Sequence, residues 1–243
     1  MKKTFTEIHL HTAQSSKCSR VGAEMSIPEF KKNGYDCVII TDHYSRLVFS
    51  DFYRDEATFK EKTDRFLLGY RTAKEIGEKV GLTVLLGAEF RFGEGNYNDY
   101  LVYGMSEEMF YKYPYLFDKT EKEFSCFAND NHLFFAQAHP FRDKVTRCNP
   151  GYLHGCEVFN AHPYHNSRNI LAAQFCSDNS LIPTCGSDFH YEEGLCGCGM
   201  NFYGELNCIG DVVDKLFKRQ YDLVIPSGYT VREKPEKYKN KKN

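Results

Sequence analysis

The sequence predicts an α/β fold in which parallel strands close, or nearly close, into a barrel within a single domain. Three observations predict it. Short apolar runs alternate repeatedly with polar stretches of helical period, the pattern of strand–helix–strand units joined by right-handed crossovers. Several runs are nearly continuous in apolar character and rich in β-branched residues, such as CVII and TVLL, as expected of strands covered on both faces. The chain has 243 residues, which suits one barrel-sized domain. An open doubly wound sheet is the second architecture that fits.

In chain order, the strand candidates are 5–11, 37–43, 83–90, 98–105, 133–139, 155–160, 181–188 and 222–225. The helical stretches between them carry start and stop signals. The first, 25–34, has Ser26 as a cap, Pro28 in its first turn and Gly34 as its stop. Residues 55–80 place Phe59, Phe66, Leu67, Tyr70, Ala73 and Ile76 at helical spacing, and Gly81 ends the run. Residues 120–131 and 166–178 read the same way, and a last helix is expected over 208–219. No internal repeat and no linker rich in Pro, Gly or Ser divides the chain, so the domain is expected to cover 1–230. The end, 231–243, is basic with almost nothing apolar, and is expected to be a mobile, disordered tail.

Composition narrows the function classes. Apolar residues make up 42% of the chain, enough for a sizeable core. The net charge of −2 gives no global sign of a nucleic-acid or membrane partner. No apolar run approaches the roughly 18 residues of a membrane span. The start, MKKTFTEIHLH, has no apolar stretch of secretion-signal length, so a cytoplasmic location is expected. The 10 cysteines are too dilute for a disulfide scaffold and contain no C-x-x-C. They read as reduced thiols, most of them small core residues.

Ligand-type residues recur where the strands end. His9 and His11, two apart on the first strand, present both imidazoles on one face. Asp42-His43 closes the second strand, Glu89 the third, His139-Pro140 a later one, and Asp188 with His190 the last strong one. In a barrel of parallel strands those ends meet at one mouth. A buried carboxylate or imidazole is costly unless it is paired or coordinates a metal. His9, His11, His43, Glu89, His139, Asp188 and His190 therefore read as a divalent-metal centre; unrelated capping residues are the plainer alternative.

The motifs EIHLHT (7–12), ITDHY (40–44), GAEF (87–90), QAHPFR (137–142), EVFNA (157–161) and GSDFH (186–190) span residues 7–190. In kind and order they resemble the polymerase and histidinol phosphatase (PHP) family. The resemblance implies a distorted TIM-like (β/α)7 barrel, two or three divalent ions (zinc, manganese or iron) and phosphoester hydrolysis. Carried over by motif, His9, His11, Glu89 and Asp188 hold one metal. Glu89 bridges to a second, which His139 also holds, and His43 and His190 bind a third. Two family positions are unmatched. One falls in AQSSKCSR (13–20), where Cys18 or a hydroxyl is the only local substitute. The other, a His in the strand after the bridging Glu, falls at Asp99 or Tyr100.

Further residues are expected near the mouth. Arg142 is placed to hold a phosphate oxygen by a charge-assisted bond, and with Asp188 and His190 makes up the catalytic set. Arg168 and Asn160 are substrate-binding candidates. Arg20, His162 and His165 could also orient substrate or move a proton, or be plain surface and loop residues. Glu157, three before Asn160, reads as lying on the opposite face and deeper, in a supporting role. Asp42 reads as orienting a neighbour, and His132 and His154, which precede their strands, as structural. The GEGN run (93–96) is not a phosphate loop, because no GK[ST] follows.

The function so predicted is hydrolysis of a small phosphorylated substrate, a phosphate monoester of the histidinol-phosphate kind, by a metal-activated water. No G-x-S-x-G is present, which argues against a serine hydrolase. The rivals are a nuclease or nucleotide exonuclease on the same metals, a non-catalytic binding module with a degenerate site, and amide or deamination chemistry. For a nuclease, 17 Tyr and 20 Phe offer stacking surface but the balanced charge offers no basic groove.

Overall fold

The computed structural model describes residues 2–239. Its main helices form where the chain carries end signals. Helix α1 is Ala23–Lys32, α2 Phe59–Val80, α3 Glu107–Lys112, α4 Glu121–Asp130, α5 Asn169–Asp178, α6 Ile209–Phe217 and α7 Glu236–Lys239. α2 opens on a capping box: Thr58 Oγ1 accepts the Glu61 N–H at 3.2 Å, and the Glu61 carboxylate accepts the Thr58 N–H at 2.8 Å. It closes at Gly81 in the left-handed conformation. Thr120 and Glu123 open α4 in the same way. Ser26 is not the cap of α1; Gly22 takes that position and Ser26 lies buried inside the helix.

The strands are β1 Lys3–Leu10, β2 Cys37–Ile40, β3 His43–Ser45, β4 Thr83–Arg91, β5 Tyr100–Tyr103, β6 Phe134–Gln137, β7 Gly155–Asn160, β8 Ile182–Gly186, β9 Gly199–Tyr203 and β10 Tyr221–Val224. They make one sheet in the order β10-β9-β1-β2-β4-β5-β6-β7-β8, with β3 beside β4. The sheet curls until its ends almost meet. Beyond β8, the Phe189 N–H donates to the His9 carbonyl and the His11 N–H to the Phe189 carbonyl, both at 3.1 Å. At the other rim β9 and β10 fill the gap, and the Tyr221 hydroxyl donates to the Pro183 carbonyl at 2.9 Å.

The barrel is nearly closed, but its strands are mixed, which corrects the expected all-parallel (β/α)7 alternation. β5 runs antiparallel to both β4 and β6, and β9 antiparallel to β1 and β10. Connection length is the reason at β5. Only residues 92–99 separate it from β4, and a parallel crossover needs a dozen residues or more. At β9 the linking segment 187–198 stays at the rim where β8 ends, so the chain returns alongside β1. The strand expected over 37–43 breaks at 41–42 into β2 and β3.

Two apolar clusters position the centre. One joins Val38, Ile40, Val84, Leu86 and Ala88 of the sheet to Ile27, Phe30, Phe66 and Leu67 of the covering helices α1 and α2. The other joins Ile39, Leu85, Leu101 and Ala136 to Met200 and Phe202 of β9 and to Val212, Val213 and Leu216 of α6. α6 thereby plugs the rim opposite His9 and Asp188. Among the described residues no helix is long and apolar enough to cross a membrane. Of the segment 231–243, residues 240–243 lie outside the described residues. Before them, the Arg232 N–H donates to the Pro163 carbonyl at 2.7 Å and the Tyr238 ring packs on Tyr191 at 4.6 Å.

Candidate metal centre

The residues singled out at the strand ends converge. His9 Nε2 lies 3.3 Å from Glu89 Oε1 and 3.4 Å from Asp188 Oδ1, and His11 Nε2 lies 3.3 Å from Glu89 Oε2 and 3.5 Å from Asp188 Oδ1. His43 Nδ1 is 2.8 Å from Glu89 Oε2, and His139 Nε2 3.1 Å from Glu89 Oε1. His190 Nδ1 is 3.2 Å from Asp188 Oδ1. The ligand atoms of His9, His11 and Glu89 lie within 4.8 Å of one another, as do those of His9, His139 and Asp188, and those of His11, His43 and His190.

Buried polar groups behind these side chains hold them in place. Glu157 Oε1 lies 2.8 Å from His9 Nδ1, while its Oε2 accepts the His139 N–H at 2.9 Å and the Asn160 amide at 2.9 Å. Glu7 Oε1 accepts the N–H groups of His9 and Ser187 at 2.8 and 3.0 Å. Asp42 accepts from the Thr12 N–H, the Thr12 hydroxyl and the Ser16 hydroxyl, and so ties down the loop that follows His11. His139 and Asp188 both sit at positive φ, 28° and 51°. Backbone strain of that kind in non-glycine residues concentrates at functional sites.

The donor set fits divalent cations. Glu89, Asp99, Glu157 and Asp188 are buried together and face imidazoles and the guanidinium groups of Arg91 and Arg142; carboxylates buried in such a cluster are paired or coordinate a metal. His9 Nε2, His11 Nε2, Glu89 Oε2 and Asp188 Oδ1 are buried and have no hydrogen-bond partner among the described residues. Burial resists ionisation of Glu89, but the His43 and His9 imidazoles overcome it and hold the carboxyl well below its usual range. Asp188 is likewise held down, against burial, by Arg142 and His9. In turn His190 is pushed up to about 10, against burial, by Cys18 and Asp188.

Other expected residues divide. Arg142 pairs with Asp188 and lies 3.4 Å from Asn160 Oδ1, and Asn160 Nδ2 is 3.3 Å from Asp188 Oδ2, so both stand at the centre. Arg168 stands aside, exposed, and donates to Asp143 and the Phe141 carbonyl. Arg20 is tied by its backbone N–H to the His190 carbonyl. His162 forms a group with Asp188 and His190, and the His165 ring lies tilted against it with centroids 4.2 Å apart. Glu157 supports the site, but not from the opposite face: a register shift between Glu157 and Phe159 turns its carboxylate onto Asn160. Of the two candidates at the unmatched strand position, Asp99 reaches the centre, 3.9 Å from His139, while the Tyr100 hydroxyl donates to Glu121. Asp99 is paired with Arg91 at 2.7 Å. His132 and His154 lie away from the centre, against Asp214 and Asn129.

No family model matches the sequence, and no curated protein sequence does. Solved structures do match in fold. A two-domain protein from Bacteroides vulgatus, described as containing a PHP-like metal-dependent phosphoesterase, superposes with a TM-score of 0.64 at 19% identity, covering 90% of this chain and 64% of that one. A protein from Bifidobacterium adolescentis described as a metal-dependent phosphoesterase gives 0.52 at 16% identity, covering 90% and 98%. Endonuclease Q, bound to a 27-mer duplex with an abasic lesion at its active site, gives 0.58 at 13% identity, covering 88% of this chain and 56% of that one. The chain thus spans less than two thirds of the first and third of these proteins. What it shares at such identities is architecture: this chain has the fold of the PHP-like metal-dependent phosphoesterases.

Proposed function

We propose that the protein is a metal-dependent phosphoesterase that hydrolyses a small phosphorylated substrate, a phosphate monoester. The observation that carries this reading is that buried ligand atoms of His9 and His11, which lack a hydrogen-bond partner among the described residues, each lie within 3.5 Å of both Glu89 and Asp188. Those four residues would hold one ion, with Glu89, Asp99 and His139 at a second and His43 and His190 at a third. Divalent ions there would supply Lewis acidity to the phosphoryl group and make hydroxide available near neutral pH. Arg142 and Asn160 bind phosphoryl oxygens, the first as a fixed cation held between Asp188 and Asn160. Glu157 orients His9.

The net charge of −2 favours a small substrate over a nucleic acid. The test is a panel of phosphate monoesters, nucleotides and single-stranded DNA, offered to protein stripped and then reloaded with zinc or manganese. Metal-dependent monoester hydrolysis with little salt dependence supports the reading. Cleavage of DNA with steep salt dependence would make it a nuclease, and bound metal without hydrolysis of any ester a binding module.

A further inference from the structure

The segment after His11 carries neither an acidic residue nor an imidazole, yet it folds back onto the centre. The Ser16 N–H donates to the Thr12 carbonyl at 2.9 Å, the Ser19 N–H to the Ser16 carbonyl at 3.0 Å, and the Arg20 N–H to the His190 carbonyl at 2.8 Å. This loop sets Cys18 Sγ 3.1 Å from His190 Nε2. Around it the His11 ring lies 4.4 Å from His43 and 4.3 Å from His190. Nitrogens of those three rings fall within 4.8 Å of one another, and His11 Nε2 is buried without a hydrogen-bond partner. Cys18 is not a core thiol like Cys37 or Cys156. It is partly exposed and lines a cavity of about 370 Å³ with His43, Lys17 and Arg91.

We propose that Cys18 completes a sulfur-containing cation site with His43 and His190, selective for zinc or ferrous iron over manganese or magnesium. The inference rests on the metal-centre reading above. A thiolate and two imidazoles form a softer donor set than the carboxylate-rich cluster at Glu89 and Asp188, and soft donors favour zinc and iron over the harder ions. Three protein donors match catalytic zinc sites, which keep a position open, rather than closed structural ones. The cavity at Cys18 and His43 offers the approach to that position.

Cobalt(II), added to the metal-stripped full chain, is the probe. The expected result is a near-ultraviolet thiolate-to-cobalt absorption band that Cys18→Ser abolishes and Cys185→Ser keeps. Cys185→Ser controls for the other close thiols, since Cys185 and Cys198 lie 3.2 Å apart. In Cys18→Ser the visible cobalt bands of the nitrogen and oxygen sites persist, zinc content falls by one equivalent, and circular dichroism is unchanged. Cys18→Asp restores the lost equivalent and shifts occupancy toward manganese. Should Cys18→Ser misfold, protection of Cys18 from alkylation by bound zinc in the unmodified protein serves instead, and equal alkylation with and without zinc overturns the proposal. Visible cobalt bands with no Cys18-dependent charge-transfer band overturn it while the metal centre stands. Absence of all cobalt bands overturns both.

Discussion

Glu157 Oε1 lies 2.8 Å from His9 Nδ1, and both side chains are fully buried. With Glu157 at Nδ1, the ring is oriented so that Nε2 faces Glu89 and Asp188, at 3.3 and 3.4 Å. Carboxylate–imidazole pairs of this kind orient metal ligands, and their loss costs about 10–100-fold in metal affinity. Glu157→Gln is expected to weaken zinc binding by about that factor while leaving the fold intact, as read by competition with a chelator. Unchanged affinity would mean that Glu157 serves packing alone.

Gly69, inside α2, sits where a side chain would strike the loop behind His11. A Cβ there would fall 2.0 Å from Thr12 Oγ1, 2.6 Å from Asp42 Oδ2 and 2.9 Å from Ser15 Oγ. Replacing a helical glycine by alanine ordinarily gains about 1 kcal/mol. Overpacking a buried site costs about 1–3 kcal/mol, and here it also breaks buried hydrogen bonds to Asp42. Gly69→Ala is therefore expected to destabilise the protein in denaturant titrations and to weaken metal binding with it. A stability gain would show that the loop yields freely.

Glu7 gives the metal-free protein a pH dependence of known sign. Burial pushes its carboxyl up to about 7, against the hydrogen bonds from Ser187 and His9. The folded chain then holds a proton that the unfolded chain releases above about pH 4.5, so this contribution to stability is present in acid and lost as pH rises to about 7. A shift of this size amounts to something on the order of 3 kcal/mol. Glu7→Gln keeps an acceptor for His9 and Ser187 but cannot titrate. Urea unfolding of the stripped proteins should show the variant gaining on the parent between pH 5 and pH 8; parallel curves would contradict the account.

Arg142 contacts Asp188 and Asn160 with the same guanidinium nitrogen. Lysine keeps the charge but not the planar fork. Arg142→Lys is expected to raise KM for a phosphate monoester by about tenfold, the value of one charge-assisted bond, with metal content unchanged. Loss of metal together with activity would instead make Arg142 a structural partner of Asp188.

The ligand set was legible because each member follows an apolar run directly: His9 and His11 after FTEI, Glu89 after VLLGA, His139 after LFFAQA, Asp188 after LIPTCGS. That pattern survives the change from parallel to mixed strands, since β4, β7 and β8 still end at the same rim as β1. What spacing misread, it misread for local reasons. Glu157 and Asn160 would face apart in a regular strand, and the register shift at Phe159 brings them together. Asp99 and Tyr100 are adjacent, so one must turn away, and nothing in NDYLVYG says which. β9 shows the right alternation, with Met200 and Phe202 fully buried, but is only five residues long and lies in a Gly- and Cys-rich stretch. The brevity of 92–99 was the readable sign that β5 runs backwards. The left-handed backbone at His139 and Asp188 carries no glycine to announce it.

The central claim is that separate strand ends converge on bound cations. It is tested most directly by elemental analysis of the purified full chain beside Asp188→Ala and Glu89→Ala, with circular dichroism to confirm their folds. The expected result is zinc, manganese or iron in the unmodified protein and its loss in both folded variants. An unmodified protein that takes up no such ion even when it is supplied, or variants that keep the full complement, would contradict it.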